Sequence, residues 1–220
     1  MNLEKDLINK KMSKKASVIM PVYLGEYEGC ASDRETKFLR AINSVIQSSY
    51  KNIELIVIGD CCSITEKLIK KVKKENKKLD IVFFNFSEKQ PLFSGNLRSK
   101  GIELSKGEII LYIDSDDMYS VKHIETVVSQ IDSEKLDWCY FNDFIHSNTG
   151  LSIRDVELEH GSVGTSSIAH IRENCPNWDG CNEYGHDWMF IQKLIEWSDN
   201  YDKIYGTSYI VCHIPTMTDF

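Results

Sequence analysis

The chain has 220 residues, with 26 Lys and Arg against 33 Asp and Glu and a formal net charge of −7. That length suits one domain and 42% apolar residues can fill its core, while the acidic balance excludes a generic nucleic-acid binder, whose basic footprint is missing. No apolar run approaches the roughly 18–20 residues of a membrane span and no signal peptide opens the chain, so a cytoplasmic protein, free or peripheral to a membrane, is expected.

Residues 1–15 are polar and Lys-rich and read as a tail preceding the domain. Ser17 to Met20, followed by Pro21-Val22-Tyr23, predicts a first buried strand. From Ser32 the pattern turns helical, with Phe38, Leu39, Ile42, Val45 and Ile46 on one face and Ser32/Glu35 as a capping box. Ile53 to Ile58 predicts a second strand closing on Gly59-Asp60. A second capping box, Ser63/Glu66, opens a Lys-rich helix whose run from Lys67 to Lys78 reads as a solvated face, because Leu68, Ile69 and Val72 recur at helical spacing. Ile81 to Phe84 is a third strand, Asn96 to Ser105 a helix, and Glu108 to Ile113 a fourth strand. A helix carrying Ile124, Val127, Val128 and Ile131 follows, then a short strand near Trp138 to Phe141. A long irregular stretch to about Gly185 reads as loops over a site. A helix from His186 to Trp197 and a strand from Tyr209 to His213 finish the pattern. Alternating strands and helices define an α/β domain with a mostly parallel sheet.

The seven cysteines are odd in number and form no CxxC pair, so neither a zinc ribbon nor a disulfide framework is expected. They read as reduced thiols. The sequon Asn85-Phe86-Ser87 is set aside for want of a signal peptide.

Chemistry concentrates where the fourth strand ends, in Ile113-Asp114-Ser115-Asp116-Asp117. Side chains alternate in an extended chain, so Asp114 and Asp116 share a side. Paired carboxylates repel unless a cation neutralises them, and carboxylate oxygens suit Mg²⁺ or Mn²⁺, which in turn hold phosphates. A calcium loop is excluded: Glu125 falls at its twelfth position, but Met118 and Tyr119 stand where a ligand and a glycine belong. Ligands of open α/β sheets bind beyond the strands' carboxyl ends. Tyr23, Asp60 and the acidic cluster arrive there, with neither GxGxxG nor Walker A. The pattern points to a nucleoside diphosphate held by acid, cation and backbone.

Four stretches then carry a resemblance: Val18-Ile19-Met20-Pro21-Val22-Tyr23, Glu54 to Asp60, Arg98 to Gly107, and Ile113 to Asp117. In order and spacing they resemble the family 2 glycosyltransferases of the GT-A fold. The resemblance implies a nucleotide-sugar-binding half at 16–119 and a loop-rich acceptor half at 120–220. It implies that Pro21, Tyr23 and Asp60 frame the nucleotide and that Arg98 lies near the nucleotide sugar. Asp114-Ser115-Asp116 becomes the DxD motif, Asp116 the direct ligand of Mn²⁺ or Mg²⁺, and Asp117 a residue facing the sugar. In Gly185-His186-Asp187-Trp188, Asp187 is implied as catalytic base, with a plain helix cap as the alternative. His213 is implied as a further metal ligand, against the alternative of a structural histidine at a strand end.

The family pattern is broken at Gly59, where an Asp pair often begins, at Leu24, where Asn is common, at His186, where Glu is usual, and by an insertion from Tyr27 to Arg34. Trp138, Trp178, Tyr184 and Trp188 read either as stacking faces for a sugar or as core. The implied activity is an inverting transfer from a nucleotide-diphosphate sugar, a UDP-sugar foremost, to a hydroxyl of a glycan, lipid-linked or protein acceptor. The alternative is a non-catalytic nucleotide- or sugar-binding module of the same fold. A sugar nucleotidyltransferase is excluded, since Pro21-Val22-Tyr23-Leu24-Gly25 lacks its Gly-rich, Arg-containing loop.

Overall fold

The computed structural model describes residues 14–28, 30, 33–147 and 149–212. Eleven strands alternate with five α-helices among them. The first half runs β1 (Ala16–Val22), α1 (Arg34–Ile46), β2 (Ile53–Gly59), α2 (Ser63–Glu75), β3 (Asp80–Asn85), α3 (Gly95–Leu104) and β4 (Ile109–Tyr112). The second runs β5 (Met118–Tyr119), α4 (His123–Glu134), β6 (Trp138–Phe141), β7 (Asp143–Ser147), β8 (Gly150–Arg154), β9 (Ile168–Ile171), α5 (His186–Trp197), β10 (Tyr201–Ile204) and β11 (Tyr209–Cys212).

A seven-stranded sheet in the order β10-β6-β9-β4-β1-β2-β3 forms the body, and a four-stranded sheet, β5-β11-β7-β8, packs beside it. In the body β1, β2, β3 and β4 are parallel and β9 is antiparallel to both β4 and β6. β1 and β2 are buried along their whole length. This is why they read as continuous Val/Ile/Leu runs without alternation. The register pairs Val22 with Gly59, Gly59 with Asn85, and Ile19 with Tyr112. Pro21–Tyr23, Asp60 and the acidic turn after β4 therefore reach one edge of the sheet together.

The stretch expected to be loops up to Gly185 contains β7, β8 and β9, and β10 lies beyond α5. These strands are four or five residues long. Each mixes polar with apolar residues and none offers the continuous apolar run that marks the equally short β4. The expected capping box at Ser63/Glu66 does not form, and the one at Ser32/Glu35 falls on a residue outside the described ones. Asp33 caps α1 without a side-chain hydrogen bond. Ser63 is already inside α2, whose cap position is Cys62. Glu66 instead pairs with Lys70 at 2.6 Å, one turn on.

Gly59, where the family pattern often has Asp, has a steric cause. A Cβ there would meet Asn85 Oδ1 at 2.4 Å, and that oxygen accepts the Cys62 N–H at the start of α2. At the far end of the sheet Glu54 is wholly buried in β2. It accepts from Ser17 Oγ and the Lys106 N–H at 2.5 Å and from the Gly107 N–H at 3.0 Å, and pairs with Lys15 at 2.9 Å. Burial opposes its ionisation, but the bonds from Ser17, Lys106, Lys15 and Gly107 outweigh it and hold the carboxyl below its ordinary value. The charge thus ties β1, β2 and the entry to β4.

Glu54→Gln leaves these donors weaker or unmatched and is expected to cost about 2–3 kcal/mol at neutral pH in a denaturant titration. A lowered folded pKa stabilises above the unfolded value and fades as pH falls through the folded one. The wild-type advantage over the variant should therefore be full at pH 7 and shrink on acidification below about pH 4.5, the group's unfolded value.

Candidate active site

A cleft of about 370 Å³ opens at the carboxyl edge of β1, β2 and β4. Pro21, Tyr23, Asp60, Arg98, Asp114 and Asp116 all line it, so six of the expected residues from four separate stretches converge. Asp60, at the end of β2, accepts the Gln90 N–H at 2.7 Å and pairs with Lys89 at 3.0 Å. The Lys89 ammonium also caps the Tyr23 ring. Gly25 leaves room for that ring, because a Cβ there would strike the Tyr23 hydroxyl.

Arg98 projects from α3 and is buried. It bonds Asp114 at 3.0 Å and the Phe93 carbonyl at 2.8 Å, and its guanidinium lies 5.0 Å from the Trp178 ring. Asp116 is open to solvent within the cleft. The protein packed around it and the charge of Asp114 raise its carboxyl above the ordinary value, with Lys37 and Arg34 acting in opposition.

Asp117 does not face the cleft, which corrects the expectation that it meets the sugar. It is buried, accepts from the Tyr209 hydroxyl at 2.7 Å and from the Cys212 N–H at 2.8 Å, and so fastens the acidic turn to β11. The same Tyr209 oxygen accepts the Asp114 N–H at 3.0 Å. Burial, then the charges of Asp116 and Asp114, push the Asp117 carboxyl well up against those two bonds. Residues 114–117 form a turn in which the Asp117 N–H donates to the Asp114 carbonyl at 3.2 Å, so the turn, and not strand alternation, sends Asp117 inward while Asp114 and Asp116 line the cleft.

Asp187 lies in the first turn of α5, whose first residue is His186, and lines a second pocket that shares Phe93 and His186 with the cleft. His186 Nε2 donates to Asp187 Oδ1 at 2.9 Å, and Thr165 Oγ1 donates to the same oxygen. Burial works against the charge, but the His186 bond, the Arg98 charge and the Thr165 bond prevail and hold the carboxyl below its ordinary value. Gly185 before the helix has φ +87°, a conformation glycine adopts without strain.

Phe93 and Ser94, at the junction of cleft and pocket, both take left-handed backbone at φ 70° and 61°. Such residues cost about 1–3 kcal/mol each. The Arg98 bond to the Phe93 carbonyl and the stacking of the Phe93 ring on His186 at 5.1 Å hold them there. Trp138 and Trp178 are buried core, whereas Trp188 and the exposed Tyr184 line the Asp187 pocket. His213 lies outside the described residues.

Sequence reasoning missed Lys37 and Phe93 as cleft residues and singled out Arg34 only as the end of the Tyr27–Arg34 insertion beside the expected donor site. Lys37 had a signal: it is a charge at the helical spacing of buried Ala41 and Ser44. Phe93 had none, since its place depends on a backbone turn. Among the described residues no three His, Cys, Asp or Glu side chains gather into a metal cage.

Comparison with known proteins agrees with this geometry. The family model for glycosyl transferase family 2 matches residues 17–197, and the chain belongs to that family. A protein of Rickettsia bellii described as an uncharacterized glycosyltransferase is 29% identical over 168 residues, which are 74% of this chain and 21% of that protein. S. aureus TarS in complex with UDP superposes with a TM-score of 0.71 at 18% identity over 90% of this chain and 60% of its own. GalNAc-T7 with UDP, GalNAc and Mn²⁺ does so with a TM-score of 0.67 at 14% identity, covering 91% of this chain and 44% of its own. The fold is therefore that of the GT-A glycosyltransferases. The chain spans between about a fifth and a half of the length of the curated relatives it matches.

Asp117→Ala would strand the Tyr209 hydroxyl and the Cys212 N–H in the interior. A loss of roughly 2–4 kcal/mol in a denaturant titration is expected, at about 1–3 kcal/mol per unsatisfied group. A residue facing ligand would instead leave stability almost unchanged.

Proposed function

We propose that the protein is an inverting glycosyltransferase that moves a sugar from a UDP-sugar to an acceptor hydroxyl with a divalent cation. The observation that carries this reading is the shared wall. The cleft holding Asp60, Asp114 and Asp116 and the pocket holding Asp187 meet across Phe93 and His186. A donor in the first and an acceptor in the second would present their reacting atoms to each other there. UDP in the TarS and GalNAc-T7 structures supports the choice of nucleotide.

Each side chain has work suited to its surroundings. Asp60 and the Tyr23 ring frame the base and ribose, and Lys89, now on both, would shift to admit them. Arg98 holds Asp114 in place rather than binding phosphate freely. Asp114 and Asp116 suit Mg²⁺ or Mn²⁺, which take one or two carboxylates and complete their shell with waters and substrate phosphates, so no larger protein cage is needed. The raised Asp116 carboxyl beside Asp114 marks the place where positive charge is wanted. Bound there, the cation would supply Lewis-acid neutralisation of the departing diphosphate.

Asp187 acts as the base. Both described donors, His186 and Thr165, bond Oδ1, which leaves Oδ2 to take the proton from the acceptor hydroxyl as its oxygen attacks the anomeric carbon from the face opposite the leaving diphosphate. The lowered carboxyl is ionised throughout the neutral range, so the base is always in its working form. Tyr184, Trp188 and Phe93 offer apolar faces on which an acceptor sugar can lie.

Two measurements divide this reading. In calorimetry UDP should bind more tightly with Mn²⁺ than with EDTA, and Asp116→Ala should erase most of that difference; equal affinity throughout would remove the cation from the site. Asp187→Asn should bind UDP and Mn²⁺ like the wild type yet lose sugar transfer by about 10²–10⁴-fold, the range for a missing base. Wild-type transfer by that variant would eliminate Asp187 as the base.

A further inference from the structure

Seven of the chain's 26 basic residues fall within the twelve residues 67–78, against one of its 33 acidic ones. The surrounding protein is acidic, so this segregation is local and runs against the net charge of −7. Lys67, Lys70, Lys71 and Lys74 share the face of α2 opposite Thr65, Ile69 and Val72, its buried residues, and all four are exposed. Of these four, Lys70 is paired with Glu66.

A second observation lies at the C-terminal end of the same helix. A groove of about 600 Å³ has a floor of Val45, Ile46, Tyr50, Ile53 and Leu79, while Lys51, Lys74, Lys77 and Lys78 stand around its rim with Asn76 and a single carboxylate, Glu75. The groove is at the amino edge of the sheet, where β2 and β3 begin, and so is remote from the cleft. The row of lysines links the two ends of the domain: α2 starts just after Asp60 and extends about 20 Å at 1.5 Å per residue.

We propose that this face and groove dock on an anionic lipid bilayer. Clustered lysines on a helix face are attracted to the negative surface potential of such a membrane, and their apolar stems can lie on it while the ammonium groups reach the headgroups. The apolar floor inside a basic rim matches a surface that is anionic outside and hydrocarbon beneath. A nucleic acid fits less well. The one aromatic side chain at the groove, Tyr50, is buried, so the patch presents no ring on which bases could stack. The inference does not depend on the catalytic reading, because the surface shares no residue with the cleft.

The test is co-sedimentation of the full chain with vesicles of phosphatidylcholine alone or with about one third phosphatidylglycerol, at ~0.15 M salt, where the screening length is about 8 Å. Binding to the anionic vesicles alone, weakening as salt is raised, is expected. The variant carrying Lys67→Gln, Lys70→Gln, Lys71→Gln and Lys74→Gln should partition at least about tenfold less, with unchanged melting and unchanged UDP affinity. A second variant, with Lys51→Gln, Lys77→Gln and Lys78→Gln, should lose several-fold; no loss there would take the groove out of the surface. Equal binding to both vesicle types, binding to neither, or full partitioning by the first variant would overturn the proposal. Retention on heparin without pelleting by anionic vesicles would overturn it in favour of a soluble polyanion.

Discussion

Three carboxylates within four residues cannot face one another at the end of a strand without a large electrostatic cost, and the second sheet resolves that conflict. Asp117 turns inward onto the Tyr209 hydroxyl and the Cys212 N–H, while Asp114 and Asp116 turn to the cleft. Tyr209 serves both sides, donating to Asp117 and accepting from the Asp114 backbone. The geometry of the acidic turn therefore depends on β11, some ninety residues away in the chain. The repelling pair is thereby held in place by the fold itself, an arrangement that suits the diphosphate and cation proposed for this cleft.

Arg98 couples the two halves of the site. Its guanidinium bonds Asp114 in the cleft and its charge helps to keep Asp187 ionised in the neighbouring pocket. It also braces Phe93, whose left-handed backbone and ring form the wall between cleft and pocket. The family's more usual Glu at this position is His186 here, next to the proposed base, and the imidazole both stacks on Phe93 and donates to Asp187 Oδ1. The substitution keeps the Asp oriented while removing a second negative charge from beside it.

The parallel half of the fold was legible in the chain because its buried strands are long apolar runs between amphipathic helices. The cleft was legible for a related reason, since in such sheets polar residues just past the strand ends must meet at one edge. In the second half α4, β6, α5 and β11 were legible as well, but β5, β7, β8, β9 and β10 were not. β7, β8, β9 and β10 are short and mixed in character, and most of their pairings join strands distant in sequence. Arg34 and Lys37 likewise join the cleft only because α1 packs beside β1 and presents them there.

Composition, periodicity and motif order by themselves determined the α/β class, the four core strands, and the meeting of Pro21, Tyr23, Asp60, Arg98, Asp114 and Asp116 at one edge. These follow from local rules: strand alternation, burial of apolar runs, and the common direction of parallel strands. Only the tertiary structure decided that Asp117 is a buried pin, that the Asp187 pocket shares a wall with the cleft of Asp60, Asp114 and Asp116, and that His186 and Phe93 build that wall. Those outcomes depend on contacts between residues tens of positions apart, and no local rule specifies which distant partner a side chain will meet.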